Sequence, residues 1–295
     1  MLVKNNHKAI FFFLKHIWID ILLIIIYASI ITTIDLFTYL QMITIPLSVT
    51  TVTGTIVALL LAFRTAQSYD RWWEARKVWG EIVNDSRTLI RQVKQFLPDQ
   101  GSDDSISDFA HRQIIWCHAL SESLRKQPFS SKVQSYLDSK NIKANNIPSK
   151  LLSKHSEHLK QASKSLGLDS IKQTQIDSTL SRLTDSMGKC ERIKNTVFPR
   201  SYSSLIHVLI YVLASLLPFG LEDIFPFTEI AIAIIIPVIL LAVEETAIIM
   251  QDPFENKPTD IPMTALSNTI ENNIMEIITD QKTEVTANPN RFYIN

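Results

Sequence analysis

Glycine is scarce, with six in 295 residues, so a Gly-rich phosphate loop is not available and neither a Walker nor a dinucleotide fingerprint occurs. Cysteine is scarcer still. Cys117 and Cys190 both lie in the polar middle of the chain, and two such residues build no disulfide framework. An excess of charge of either sign is also missing: 29 basic residues balance 29 acidic ones. Without a basic field to hold phosphates, nucleic acid is excluded as a partner. Alternating β-branched runs and Asn-Gly hairpin signals are missing too, so the chain reads as all-α. No catalytic constellation stands out. Cys117-His118 has no third group at a useful spacing to orient it, so the chain does not read as an enzyme. His155, Glu157 and His158 lack a third histidine or a cysteine nearby and read as a solvated polar face; no metal and no cofactor is expected.

What the chain does have is long apolar runs gathered towards its two ends. Residues 17–34 carry one charge, Asp20, close to the start, and residues 42–63 carry none. Two further runs cover 203–219 and 227–243, the second closed by Glu244 and Glu245. Each approaches the roughly 20 residues that span a bilayer as a helix. The first run reads as a retained helix rather than a cleaved signal, because Lys15 and His16 interrupt its apolar stretch and a second long run follows. Pro46 predicts a break in the early part of the second. Asp20 is a functional candidate, since charge inside a membrane is costly.

From Arg64 to about Tyr202 charges are frequent and apolar residues recur at helical spacing. Trp72, Arg76, Trp79, Val83 and Ser86 suggest one stripe, and Leu180, Leu183, Met187 and Ile193 another. Residues 98–107 read as a loop with Asp103 or Asp104 near the next helix start, 145–149 as a break at Pro148, 264–278 as a helix and 288–290 as extended. The predicted organisation is therefore 1–63 with two membrane helices, 64–202 as a helical cytosolic domain, 203–250 with two more membrane helices, and 251–295 as a cytosolic tail. Lys and Arg are absent from the short connections 35–41 and 220–226 and frequent on the other side. This places both connections outside and both termini in the cytoplasm of a multi-pass protein of the cell (inner) membrane. Arg64 and Arg71 are expected either to pair with Asp70, Glu74 or Asp85 or to bias a vestibule towards anions.

At Phe63 a signature begins. Phe63-Arg64, then Tyr69-Asp70-Arg71-Trp72-Trp73-Glu74-Ala75-Arg76, resembles the bacterial bestrophin family. Cys190-Glu191-Arg192-Ile193 with Pro199, and Glu244-Glu245 with Asp252-Pro253-Phe254 and Asp260-Ile261-Pro262-Met263, look like two further family segments in the right places. The resemblance implies a homopentamer around one axial pore, each subunit giving four membrane helices and a helical cytosolic region. Its partners would be membrane lipids, further copies of itself and small inorganic ions. By resemblance, Phe63 is the cytosolic-side residue of an apolar neck, with Leu59 and Thr55 one and two steps of four residues earlier on the same helix face. Thr55 departs from the family's bulkier apolar residue and predicts a wetter outer ring. A second constriction, in the cytosolic part, falls on Ile171 or, by a slip of alignment, on Leu168. Animal members bind calcium after the Pro-Phe pair, but Lys257 and Pro258 stand here where carboxylates would be wanted, so no calcium is expected. The resemblance thus implies passive conduction of small monovalent ions, chloride and other anions foremost, with cations allowed. The alternative from the residues alone is a membrane-anchored sensor or scaffold whose 64–202 region binds a partner.

Overall fold

The computed structural model describes residues 6–37, 45–98, 102–196, 199–221 and 226–279. Among them the elements are α1 (Asn6–Phe37), α2 (Leu47–Phe96), α3 (Asp103–Leu124), α4 (Ser131–Ser139), α5 (Ile147–Leu166), α6 (Ser170–Asn195), α7 (Arg200–Gly220), α8 (Pro226–Met250) and α9 (Met263–Thr279). No strand occurs among the described residues. Most of both short connections, and the extended reading at 288–290, lie outside them.

Pro46 sets the start of α2 rather than kinking it. Its carbonyl accepts from the Val49 amide at 2.9 Å, and its missing N–H costs nothing ahead of the first turn. From there α2 runs 50 residues without a break, about 75 Å at ~1.5 Å per residue. No proline interrupts it before Pro98, just beyond its end. The helix therefore passes uninterrupted through position 63, where hydropathy alone changes.

The chain forms two compact units. One holds the described parts of 5–72 and 197–251, the other those of 73–196 and 252–295. In the first, α1 packs on α7 and α8, and α7 on α8. Its core is Ile24, Val57, Leu61, Ile206, Ile210, Ala214 and Leu241. Leu47–Phe96, Ser201–Gly220 and Ile230–Met250 each contain a stretch long and apolar enough to cross a bilayer, and α1 adds the apolar stretch Trp18–Ile34. Trp18, Leu23, Ile30, Val208 and Ile235 all point outward, a surface that lipid solvates and water does not. This is a membrane protein. The end of α7 meets the start of α2 so closely that a Cβ on Gly220 would lie 2.8 Å from the Thr50 hydroxyl, so only glycine fits there.

The second unit has a larger core, including Trp79, Ile82, Leu89, Phe109, Trp116, Leu151, Ile176 and Phe254. Here α3 packs on α4, α5, α6 and α9, and α5 on α6. Leu180, Leu183, Met187 and Ile193 are all buried, as their spacing predicts. The stripe on α2 is rotated from the expected one. Ala75, Val78, Trp79, Ile82, Ser86, Leu89, Ile90 and Val93 are buried, while Arg76 and Val83 flank them. Within the stretch 98–107 the helix begins at Asp103, where its start was expected, and 103–107 belong to α3. Ser102 precedes α3, and Asp103 and Asp104 sit in its first turn, where the helix dipole favours carboxylates. Asn146 caps α5 by accepting from the Ser149 amide at 3.0 Å, and Gly167 ends it with φ +66°.

The polar-face reading of His155 is overturned. The residue is fully buried, because Leu151, His155, Leu159 and Ala162 recur at helical spacing on the buried side of α5. Its ring stacks on Phe109 at 5.2 Å, and His158 stacks on the same ring at 4.5 Å. Burial, with repulsion from Arg112 and His158, holds the His155 imidazole well below its ordinary pKa of 6.5. Below that value the unfolded chain takes a proton that the folded one refuses, so the stability this residue contributes is lost as pH falls. The stability of the wild type relative to His155→Phe is expected to drop by up to ~1.4 kcal/mol per pH unit below about 6.5. Comparison with the variant matters, because burial pushes the Asp260 carboxyl up to about 6, and that group acts in the opposite sense. Thermal unfolding of both proteins across pH reads the difference. Parallel curves would show that His155 is not neutral in the fold.

Candidate functional site

The first half of α2 has two faces. Thr50, Val57, Leu61, Arg64 and Ser68 are buried in the chain's own helix bundle. On the other side Leu59 is 65% exposed and Phe63 55%, and Thr55 is exposed in the same line. The Thr55 hydroxyl donates to the Thr51 carbonyl at 2.8 Å, and Thr51 and Thr53 bond back in the same way to Leu47 and Val49. The hydroxyl proton of Thr55 is therefore satisfied within its own helix. Beside Phe63 the ring of Tyr202 lies at 6.3 Å, and its hydroxyl donates to the Leu60 carbonyl at 3.2 Å, tying α7 to α2.

The signature residues divide by task. Arg64 is buried and donates to the Ser203 hydroxyl. Arg71 donates through Nε to the Gln251 carbonyl at 3.0 Å. Tyr69 stacks on Trp72 at 6.1 Å. Two of the acids expected to pair with Arg64 or Arg71 are taken from α6 instead: Glu74 by Arg192 at 2.5 Å, Asp85 by Arg182 at 2.9 Å. Residues on an adjacent antiparallel helix face were closer than sequence neighbours pointing elsewhere around α2. Asp70 and Trp73 are exposed and Arg76 is half-buried.

In the segment after α8, Asp252 pairs with Lys194 at 2.6 Å, and Phe254 is fully buried behind Pro253, whose carbonyl accepts from the Ile261 amide at 3.0 Å. Glu255 pairs with Lys257 at 2.6 Å, and Asp260 accepts from the Lys257 amide at 2.8 Å. Each carboxylate of this loop is thus engaged by the protein itself. Among the described residues no group of three or more His, Cys, Asp or Glu is placed to hold a metal. Of the two candidates for a cytosolic constriction, Leu168 is buried in the core whereas Ile171 is 68% exposed, its amide capped by Asp169 at 3.1 Å.

One grouping was not legible in advance. Asp20, Ile21, His207, Leu241 and Glu245 line a small cavity in the membrane unit. His207 Nδ1 lies 3.0 Å from Glu244 Oε2. Asp20 and the Glu244-Glu245 pair had been noted separately. The signal that joins them is that each polar residue interrupts a different apolar run at the same end of the helices.

Comparison with known proteins gives a consistent result. A family model for bacterial and fungal bestrophin proteins matches residues 10–276. The voltage-dependent anion channel-forming protein YneE of Escherichia coli (strain K12) is 30% identical over 244 residues, 81% of this chain and 79% of the relative. The voltage-dependent anion channel-forming protein RSc3414 of Ralstonia nicotianae is 31% identical over 243 residues, 80% and 79% of the two chains. Among solved structures, a bacterial bestrophin homolog from Klebsiella pneumoniae superposes with a TM-score of 0.81 at 24% identity, covering 89% of this chain and 98% of its own. At that identity the superposition establishes a shared fold.

Proposed function

The chain belongs to the bacterial and fungal bestrophin family, and from that premise we propose that it is the pore-forming subunit of a homopentameric channel. It conducts small monovalent ions, anions foremost, through a neck of Thr55, Leu59 and Phe63, with Ile171 as a second constriction. The observation that carries this reading is the outward stripe on α2. Leu59 and Phe63 are large, apolar and turned away from the subunit's own core. On a pentamer axis they become rings that resist ions by excluding water. The naming of relatives as anion channel-forming proteins supports the choice of ion. The proposed role needs no enzyme chemistry and no cofactor. Purified protein in planar bilayers tests it: ion currents, with a reversal potential in asymmetric salt that follows the anion gradient, are expected. Mass measurement in mild detergent should give five subunits. A clean monomer or dimer, or silent bilayers, would favour a sensor or scaffold instead.

The proposed topology has four spans, with both termini and the helical domain cytoplasmic. The native thiols cannot report on it, since both are buried and burial pushes the Cys117 thiol up to about 12 and raises that of Cys190 as well. They resist labelling from either side. Ser135 is exposed on α4. A Ser135→Cys variant should be labelled by an impermeant maleimide in opened cells and not in intact ones; labelling in intact cells would reverse the topology.

Calcium activation is not expected through residues 252–260, because their carboxylates are already spent on Lys194, Lys257 and loop amides. Currents should be the same with micromolar calcium or with chelator. Currents that need calcium and are lost in Asp260→Ala would contradict this.

A further inference from the structure

The cluster around His207 draws a polar or charged group from each helix of the membrane unit. Asp20 comes from α1, Arg64 from α2, His207 from α7, and Glu244 and Glu245 from α8. His207 Nδ1 lies 3.1 Å from one oxygen of Glu244 and 3.0 Å from the other, and Glu244 is fully buried. Asp20 and Glu245 line the cavity that the imidazole also lines. Arg64 is buried too, and its guanidinium donates to the hydroxyl of Ser203, one turn before His207 on α7. Tyr211, one turn further along α7, is edge-on to Tyr27 at 5.3 Å. The cluster thus gathers three carboxyl groups and one imidazole against a single guanidinium.

An apolar helix bundle gives such a gathering little solvent to screen it, so the arrangement favours uptake of a cation. The size of the cavity and the ligand geometry do not suit a metal, since no group of three or more ligating side chains comes together among the described residues. A proton needs no coordination shell. It needs one imidazole against a carboxylate, and that pair is present.

We propose that His207, with Asp20, Glu244 and Glu245, forms a proton-binding site in the membrane unit, and that its occupancy sets how far the charge of Arg64 is neutralised beside Phe63. The first clause stands on the cluster alone; the second rests on the neck reading. When the proton is absent, Glu244 and Glu245 offset Arg64. When it is bound, part of that negative charge is cancelled, and the guanidinium, buried one residue along α2 from Phe63, adds more positive potential behind the proposed neck. Acidification on the side to which the cavity opens therefore raises anion current.

Two measurements on the full chain test this. In lipid bilayers, anion current should rise on the order of fivefold between about pH 8 and pH 5. His207→Gln keeps a hydrogen-bonding partner for Glu244 but takes up no proton, and its profile should be flat; Asp20→Asn should move the midpoint without abolishing it. Separately, ¹⁵N-histidine spectra of the detergent-solubilised protein, assigned by difference from His207→Gln, should show the His207 ring titrating across the same pH range. A ring that does not titrate overturns the site, whatever the neck does. A ring that titrates while wild-type current stays level overturns the coupling. A His207→Gln profile that matches wild type overturns the assignment to His207. Failure of the neck reading would show differently, as currents indifferent to Leu59 and Phe63 while the ring still titrates.

Discussion

Replacing Leu59 and Phe63 together by alanine should raise single-channel conductance or open probability by about tenfold or more. An ion entering an apolar ring sheds water that no side chain replaces. In the proposed pentamer, removing two large side chains from each of five subunits would widen that ring and let water remain. A tenfold rise needs the barrier to fall by only ~1.4 kcal/mol, a small part of what dehydration costs. Assembly should survive, because the two residues are 65% and 55% exposed on the subunit and contribute little to its own core. A local loss is the contact of Phe63 with the Tyr202 ring. Single-channel recording of a variant whose mass is still that of the wild-type oligomer is the measurement. Unchanged currents in that variant would move the constriction elsewhere, with Ile171 the first place to look. Failure to assemble would mean that the two side chains are packing residues.

Ile171→Glu should lower anion current and shift permeability towards cations, by about tenfold in the anion-to-cation ratio if the five side chains ring the axis. The substitution is locally mild. Ile171 is 68% exposed and sits in the first turn of α6, where a carboxylate is favoured by the helix dipole. A change in selectivity therefore cannot be charged to misfolding. Reversal potentials in a salt gradient decide it. An unaltered ratio with intact assembly would place Ile171 away from the ion path.

Hydropathy and spacing made several features legible. The apolar runs became helices, the break read at Pro148 falls at the start of α5, and the stripe from Leu180 to Ile193 packs as its period requires. The continuity of α2 was legible in principle: between Phe63 and Pro98 only Gly80 could weaken a helix. The change from apolar to charged drew attention to position 63, although hydropathy reports the solvent around a helix and not where it ends. His155 was misplaced for a related reason. Next to Glu157 and His158 it looked polar, whereas its steps of four from Leu151 and to Leu159 put it inside. The neck stripe needed both kinds of information. Spacing placed Thr55, Leu59 and Phe63 on one face, but nothing in the spacing said which way that face turns. The exposed pattern on α2 adds that the face is not used by the subunit's own bundle. The His207 cluster was the least legible, since its members come from four helices separated by long stretches of chain and meet only in three dimensions.

The threonines of α2 bear on how the protein is made. A chain that enters lipid before it assembles has no companion to cover its polar groups. A bare hydroxyl threaded into hydrocarbon would raise the cost of that crossing. Thr51, Thr53 and Thr55 carry their donors into the bilayer already bonded to carbonyls of their own helix, each four residues back. The helix that would later surround the aqueous path can thus be inserted as if it were nearly aliphatic, and biogenesis need not wait for assembly.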